Sequence, residues 1–191
     1  MSEKPAAFYG LPEEVTFCTK CCYSNQRPSS TKEFRHTKDS KKVTLVFDEE
    51  GVCDACRFAE KKESIDWRLR EEQLLELLAK HRKTDGSYDC IVPGSGGKDS
   101  AFTAHILKYK YGMNPLLVTF NHAYNSLAGL RNLENLVYRS GCDLIRYTAG
   151  LDSVRRLSRH MLETVGDLTW HYHGGIRTFP FQVAVKYNIP L

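Results

Sequence analysis

The sequence predicts an α/β protein: a parallel sheet layered with helices, preceded by a small zinc-ribbon-like module. Three observations lead there. From residue 88 onward, short apolar runs alternate with segments of helical periodicity, the order that right-handed crossovers turn into a parallel sheet. The first apolar run meets the first of these helices through a glycine-rich stretch, Gly94-Ser95-Gly96-Gly97-Lys98-Asp99-Ser100. Ahead of both stand two Cys-x-x-Cys pairs, Cys18/Cys21 and Cys53/Cys56.

Composition narrows the class. A chain of 191 residues has room for one ordinary domain with a real core plus a small appendage. Its hydrophobic share of 41% and charged share of 26% are those of a globular protein rather than a disordered one. The net charge of +4 is mild, and bases alternate with acids, as in Glu60-Lys61-Lys62-Glu63. That pattern reads as solvated helix faces and not as a nucleic-acid stripe. No apolar run approaches the ~20 residues that span a bilayer, and Met1 to Gly10 lack a signal-peptide core. The expected location is the cytoplasm, where seven cysteines serve as metal ligands and buried thiols more often than as disulfides.

Taken in order, residues 1–16 read as a flexible lead-in and 17–60 as the zinc-binding module. Each Cys-x-x-Cys turn offers two sulfurs at the right bite, and four thiolates fill a tetrahedral zinc shell with no position left for water. Cys18, Cys21, Cys53 and Cys56 are therefore the expected ligands of a structural Zn²⁺, with Cys22 a possible substitute. The polar stretch Tyr23 to Lys42 reads as a loop and Val43 to Phe47 as a short strand, closed by the turn Asp48-Glu49-Glu50-Gly51. A connecting helix, Ile65 to Lys83, lies within residues 61–86.

Residues 87–191 form the nucleotide domain. Its strands are Tyr88 to Val92, Pro115 to Phe120 and Asp143 to Tyr147. The helices run from about Asp99 to Tyr111 (Phe102, Ile106 and Tyr109 on one face), Leu127 to Ser140 and Leu151 to Val165, each followed by a glycine. Trp170-His171-Tyr172-His173-Gly174-Gly175 reads as a loop, and Phe181 to Tyr187 as helical. Asn188 to Leu191 then looks like the start of another strand, so the expectation is the N-terminal part of a longer protein.

A strand, a glycine-rich loop and a helix in that order make an anion site. Glycines let backbone N–H groups close on phosphate oxygens, and the helix start adds free donors and a positive dipole end. Neither G-x-x-x-x-G-K-[ST] nor G-x-G-x-x-G can be placed on these residues. Ser95-Gly96-Gly97-Lys98-Asp99-Ser100 instead resembles the pyrophosphate loop of the PP-loop ATP pyrophosphatases (adenine nucleotide alpha hydrolase-like), which cleave ATP between its α- and β-phosphates. Cys18-x-x-Cys21 and Phe47 to Cys56 combine with that loop. So do Leu117-Val118-Thr119-Phe120-Asn121, Asn132-Leu133, Gly166-Asp167 and Gly174-Gly175-Ile176. Together they make residues 17–191 similar to the N-acetyl sugar amidotransferases.

The resemblance implies that Ser95, Gly96, Gly97 and Ser100 hold the β- and γ-phosphates. Lys98 offsets charge on the departing pyrophosphate, and Asp99 holds Mg²⁺. Thr119, Phe120 and Gly175 are implied beside the nucleotide. The reaction implied is ATP-dependent conversion of an acetamido group to an acetamidino group, on sugars of bacterial surface polysaccharide, lipopolysaccharide or flagellin glycans. Ammonia is expected from a glutaminase subunit through a cyclase-like channelling subunit. The residues themselves add His171, His173 and Arg177 as candidate grips on nucleotide or sugar, against the alternative of a loop that only caps helices or faces water. Two competing functions stand beside this one: a tRNA-thiolating enzyme with zinc knuckles, and a non-enzymatic zinc-ribbon interaction module. A thiolase needs sulfur-handling cysteines near the loop, yet Cys90 and Cys142 form no Cys-x-x-Cys pair.

Overall fold

The computed structural model describes residues 11–27 and 43–191; residues 1–10 of the expected lead-in and 28–42 of the expected loop lie outside the described residues. The chain divides into two compact units, Met1–Arg68 and Leu69–Leu191. Among the described residues no helix is long and apolar enough to cross a membrane.

In the first unit, two tight turns carry the four clustered cysteines. Phe17 bridges Ser24, and Phe47 bridges Cys53, each through an isolated antiparallel pair. The strand expected over Val43 to Phe47 does not form as a regular element. Its residues are spent on the turn around Asp48, and the Val46 carbonyl accepts the N–H of Asp54 at 2.8 Å. Helix α1 (Asp54–Glu63) then starts inside the second knuckle, with Cys53 as its N-cap. It buries no residue of its own, which is why apolar periodicity did not announce it.

Helix α2 (Trp67–His81) leads into the second unit. There a parallel sheet of three strands runs in the order β1 (Cys90–Pro93), β2 (Pro115–Asn121), β3 (Leu144–Thr148). Ile91 sits opposite Leu116, and Val118 opposite Ile145. Because side chains alternate across a strand, neighbouring residues feed two separate cores. Val92 and Leu117 pack with Ala104, Leu136 and Cys142 on one face. Ile91, Leu116 and Val118 pack with Val183 and Ile189 on the other.

The first face is covered by α3 (Lys98–His105) and α4 (Leu127–Ser140), the second by α6 (Trp170–Tyr187). Helix α5 (Leu151–Val165) packs on α6. Asp89, buried at the foot of β1, accepts the N–H of Lys83 at 2.6 Å and of Asn114 at 2.7 Å. These charge-assisted bonds tie the entry to β1 to the entry to β2.

Phe102 and Tyr109 do not face the core: they are 66% and 57% exposed, while Ala101, Ala104 and Leu107 pack against the sheet. Small alanines let α3 approach the strands closely and turn the bulkier stripe outward. The helix also ends in a π-helical turn (Ile106–Lys110). From that turn the Tyr109 hydroxyl donates to the carbonyls of Arg139 and Ser140 (3.1 Å each), and the Lys108 ammonium donates to that of Gly141. The orphan carbonyls at the end of α4 are satisfied that way.

The stretch Trp170 to Gly175 is not a loop. It forms the first turns of α6, despite two glycines and the internal Pro180. Residues 188–191, expected to begin a strand, form none: Asn188 is the left-handed cap of α6, and the Pro190 carbonyl accepts the N–H of Ile91 at 2.7 Å.

Candidate functional site

The chain carries two candidate sites, one in each unit. In the first, Cys18, Cys21, Cys53 and Cys56 place their sulfurs all within 4.8 Å of one another. Cys18 Sγ is 4.0 Å from Cys56 Sγ, and Cys21 Sγ is 3.8 Å from Cys53 Sγ. Zinc–sulfur bonds of about 2.3 Å span a tetrahedron with edges of about 3.8 Å, so sulfurs this close could hold a metal such as zinc. Cys22 is exposed and stands outside the cluster.

The surrounding groups prepare this site. Burial opposes ionisation of Cys18, but the N–H groups of Cys53 and Lys20, each 3.3 Å from its sulfur, hold the thiol down at about 6. Hydrogen bonding with the Cys21 thiol, together with burial, pushes Cys56 up to about 12. Four thiols this close cannot all ionise unaided, and a divalent cation is what makes them do so.

The turn that presents Cys53 is built on Asp48. Its carboxylate accepts the N–H of Val52 at 2.8 Å and of Glu50 at 3.1 Å, and pairs with Arg57 of α1 at 3.1 Å. These contacts hold the Asp48 carboxyl below the usual carboxylate range, the Val52 N–H most of all. Thr19 of the first knuckle donates its N–H to the Gly51 carbonyl at 3.0 Å. Gly51 has φ +76°, and a Cβ there would come within 2.9 Å of the Thr19 methyl. The two knuckles are thus fastened to each other by backbone.

In the second unit, the phosphate-loop candidates sit where β1 stops. Gly94 makes the last ladder bond, its N–H donating to the Val118 carbonyl at 2.9 Å, and the chain then lifts off the sheet. Gly96 adopts φ +80° and lies flat against α4: a Cβ would stand 2.6 Å from the Leu133 nitrogen. Only glycine permits that approach.

Gly97 caps α3 without any side-chain cap. The first-turn N–H groups of Lys98, Asp99 and Ser100 have no carbonyl four residues back within the helix. Within the loop the Ser100 hydroxyl donates to the Gly97 carbonyl at 3.1 Å, while two internal bonds are long, Ser95 N–H to Ser100 Oγ and Gly97 N–H to Ser95 Oγ, both 3.4 Å. A phosphate oxygen can replace such bonds at little cost. Lys98 and Asp99 are 92% exposed and 3.3 Å apart, so neither is committed to the core.

Beside the loop, a cavity of about 150 Å³ opens at the C-terminal ends of β1 and β2. Ser95, Thr119 and Phe120 line it, as does Leu133 of α4. Asn121 lines it too, as do His122 and Asn125, which were not among the candidates. Asn125 donates to the Asn121 side-chain oxygen at 2.7 Å and to the His122 carbonyl at 2.8 Å, closing the turn that follows β2. Three polar residues within five positions after a predicted strand were the available signal.

The remaining candidates are placed as follows. Gly175 does not line the cavity; the ring of Phe120 lies so close against its α-carbon that a Cβ would overlap it. His171, His173 and Arg177 lie on α6, and none of them lines the cavity. His173 and Arg177 are exposed and one turn apart. Both ring nitrogens of His171 are buried without a partner, and burial holds its pKa below the usual histidine value. Asp167 receives the N–H (2.8 Å) and hydroxyl (2.6 Å) of Thr169 just ahead of the helix.

No family model matches the chain. Over 146 residues, 70% of this chain, it is 29% identical to an uncharacterized protein of Methanocaldococcus jannaschii. The match takes up 52% of that protein, so the chain spans about half the length of the curated relative it matches. A solved structure described as a predicted subunit of tRNA methyltransferase, also from Methanocaldococcus jannaschii, is 31% identical. It aligns over 39% of this chain and 36% of its own, with a TM-score of 0.29. So loose a superposition carries no argument about fold or activity. What stands is a mixed α/β chain with a small parallel sheet of three strands and four clustered cysteines that could hold a metal such as zinc.

Proposed function

We propose that this chain is the nucleotide-binding part of an ATP-dependent amidotransferase with a PP-loop fold, acting in the cytoplasm on the acetamido group of a bacterial surface-glycan sugar. One observation carries the reading: the Ser95 to Ser100 loop stands open at the N-terminus of α3, at the C-terminal edge of a parallel sheet, beside a cavity. In parallel α/β sheets ligands bind at that edge.

The β- and γ-phosphates take the loop N–H groups and the Ser95 and Ser100 hydroxyls, and the Lys98 ammonium offsets charge gathering on the leaving pyrophosphate. Asp99 suits Mg²⁺, which is commonly held by one or two carboxylates plus substrate phosphates. The nucleoside end extends past Thr119 and Phe120 into the cavity.

The chemistry follows from leaving groups. The amide oxygen of the sugar attacks the α-phosphorus, the bond to the β-phosphate oxygen breaks, and pyrophosphate departs. Ammonia then adds at the imidate carbon, and the carbon–oxygen bond breaks to release AMP and the acetamidino sugar. Without adenylation the departing group would be hydroxide, a far poorer leaving group than AMP. Ammonia is supplied by a glutaminase subunit through a cyclase-like channelling subunit. The zinc is structural, since four cysteines leave it no open position.

The test is to incubate the protein with ATP, ammonium and a panel of acetamido sugars and follow pyrophosphate. Release that depends on one sugar supports the reading. ATP binding without release for any sugar contradicts it and leaves the binding-module alternative. Tight, salt-sensitive retention of bulk tRNA on filters would instead favour the thiolating alternative.

A further inference from the structure

We propose that Tyr172 and Gly175 of α6 are positioning residues for the cavity at the ends of β1 and β2. They act through the turn after β2 and through the Phe120 ring. This rests on the nucleotide reading above and goes beyond it, because neither residue lines the cavity.

The geometry makes α6 a template for that turn. The buried Tyr172 hydroxyl accepts the N–H of Ala123 at 3.2 Å. Its ring meets those of His122 and Tyr124, each at 5.6 Å between centroids, and Phe120 at 6.4 Å. One side chain therefore touches three of the five residues Phe120 to Tyr124 through its ring and a fourth, Ala123, through its hydroxyl. Two of them, Phe120 and His122, line the cavity.

One turn further along α6, Gly175 receives the Phe120 ring where any side chain would collide with it. Phe120 also meets Tyr147 (5.2 Å between centroids, stacked) and Phe179 (6.4 Å, edge-on). Adding a methyl at position 175 pushes the Phe120 ring towards the cavity or lifts α6 from the sheet. Glycine in a helix costs about 1 kcal/mol against alanine, so helix stability does not explain its presence there; room for Phe120 does.

The phosphate loop is untouched by either residue, and this separates positioning from general support. Titrating the full chain with Mg·ATP and with Mg·pyrophosphate, for wild type, Tyr172→Phe and Gly175→Ala, tests the proposal. Tyr172→Phe removes one hydroxyl and keeps the ring. It is expected to weaken ATP about three- to tenfold, the scale of one hydrogen bond, with pyrophosphate affinity unchanged. Gly175→Ala is expected to weaken ATP more strongly, again sparing pyrophosphate. Replacing Phe120 by Leu in the Gly175→Ala background makes room for the methyl, and ATP binding recovers in part.

Unchanged ATP affinity in Tyr172→Phe overturns the proposal, as does a parallel fall in ATP and pyrophosphate affinity. If Gly175→Ala does not fold, Tyr172→Phe decides alone. A wild type that binds no ATP overturns the nucleotide reading itself, an outcome distinct from tight wild-type binding with unaffected variants.

Discussion

Gly96 shows how much a single residue carries in this site. It is left-handed, at φ +80°, and pressed against the backbone of Leu133 and Asn132. Gly96→Ala costs about 1–2 kcal/mol for the backbone conformation alone, before the collision is counted. A lowered unfolding midpoint together with loss of ATP binding is expected; an unchanged midpoint would mean that the loop does not rest on α4. Lys98 and Asp99 present the opposite case. Both are 92% exposed, so Lys98→Ala and Asp99→Ala are expected to leave the unfolding midpoint in place and abolish pyrophosphate release. Retained turnover in either variant removes that residue from the mechanism. The loop residues were legible in the sequence because glycines, a lysine and serines in that order are read directly as an anion site. His122 and Asn125 were not, because polar residues after a strand look the same in any turn. Gly175 was singled out as a contact to the nucleotide, whereas its bare α-carbon faces Phe120.

Among the elements, the zinc knuckles and α6 show where periodicity works and where it fails. The Cys-x-x-Cys pairs could be read because a metal shell demands a ligand count and a bite, and the sulfurs do converge. Chelating the metal is expected to unfold residues 17–60 while the sheet of the second unit keeps its far-ultraviolet signal; a melting curve that ignores chelation contradicts the structural role. Asp48 gives this module a pH dependence. Its folded pKa lies below the ordinary value of about 3.9, so the stability it contributes is fully present above that value. It is lost as pH falls through the folded pKa. Asp48→Asn should therefore lower the midpoint at pH 7 and narrow the gap to wild type in acid; an equal gap at both would sink the assignment.

The first turns of α6, Trp170 to Gly175, carry two histidines and two glycines, all poor helix formers, and looked like a loop; Pro180 follows within the helix. Burial of Tyr172 and Val183 against the sheet overrides those propensities. In α3 the apolar stripe of Phe102 and Tyr109 was recognised, and it is the exposed one. Periodicity locates a stripe and does not say whether a smaller one, here Ala101 and Ala104, is the buried face.

For the molecule as a whole, the alternation of strands and helices was enough to anticipate a parallel sheet, since crossover handedness leaves few alternatives. The core follows from the same alternation: Leu117 is fully buried on one face and Val118 almost so on the other. Leu117→Ala is expected to destabilise the second unit by about 2–5 kcal/mol, visible as a lower denaturation midpoint. No spacing rule supplied the acceptor of the reaction, because a phosphate loop states what is cleaved and not what attacks. That acceptor is the furthest step of the account, and product analysis reaches it most directly. With Mg·ATP, ammonium and an acetamido sugar, the account predicts AMP and pyrophosphate in equal amounts, formed together with the acetamidino sugar and lost in Lys98→Ala. ADP and phosphate as the products, or no turnover with any acetamido sugar, would contradict it.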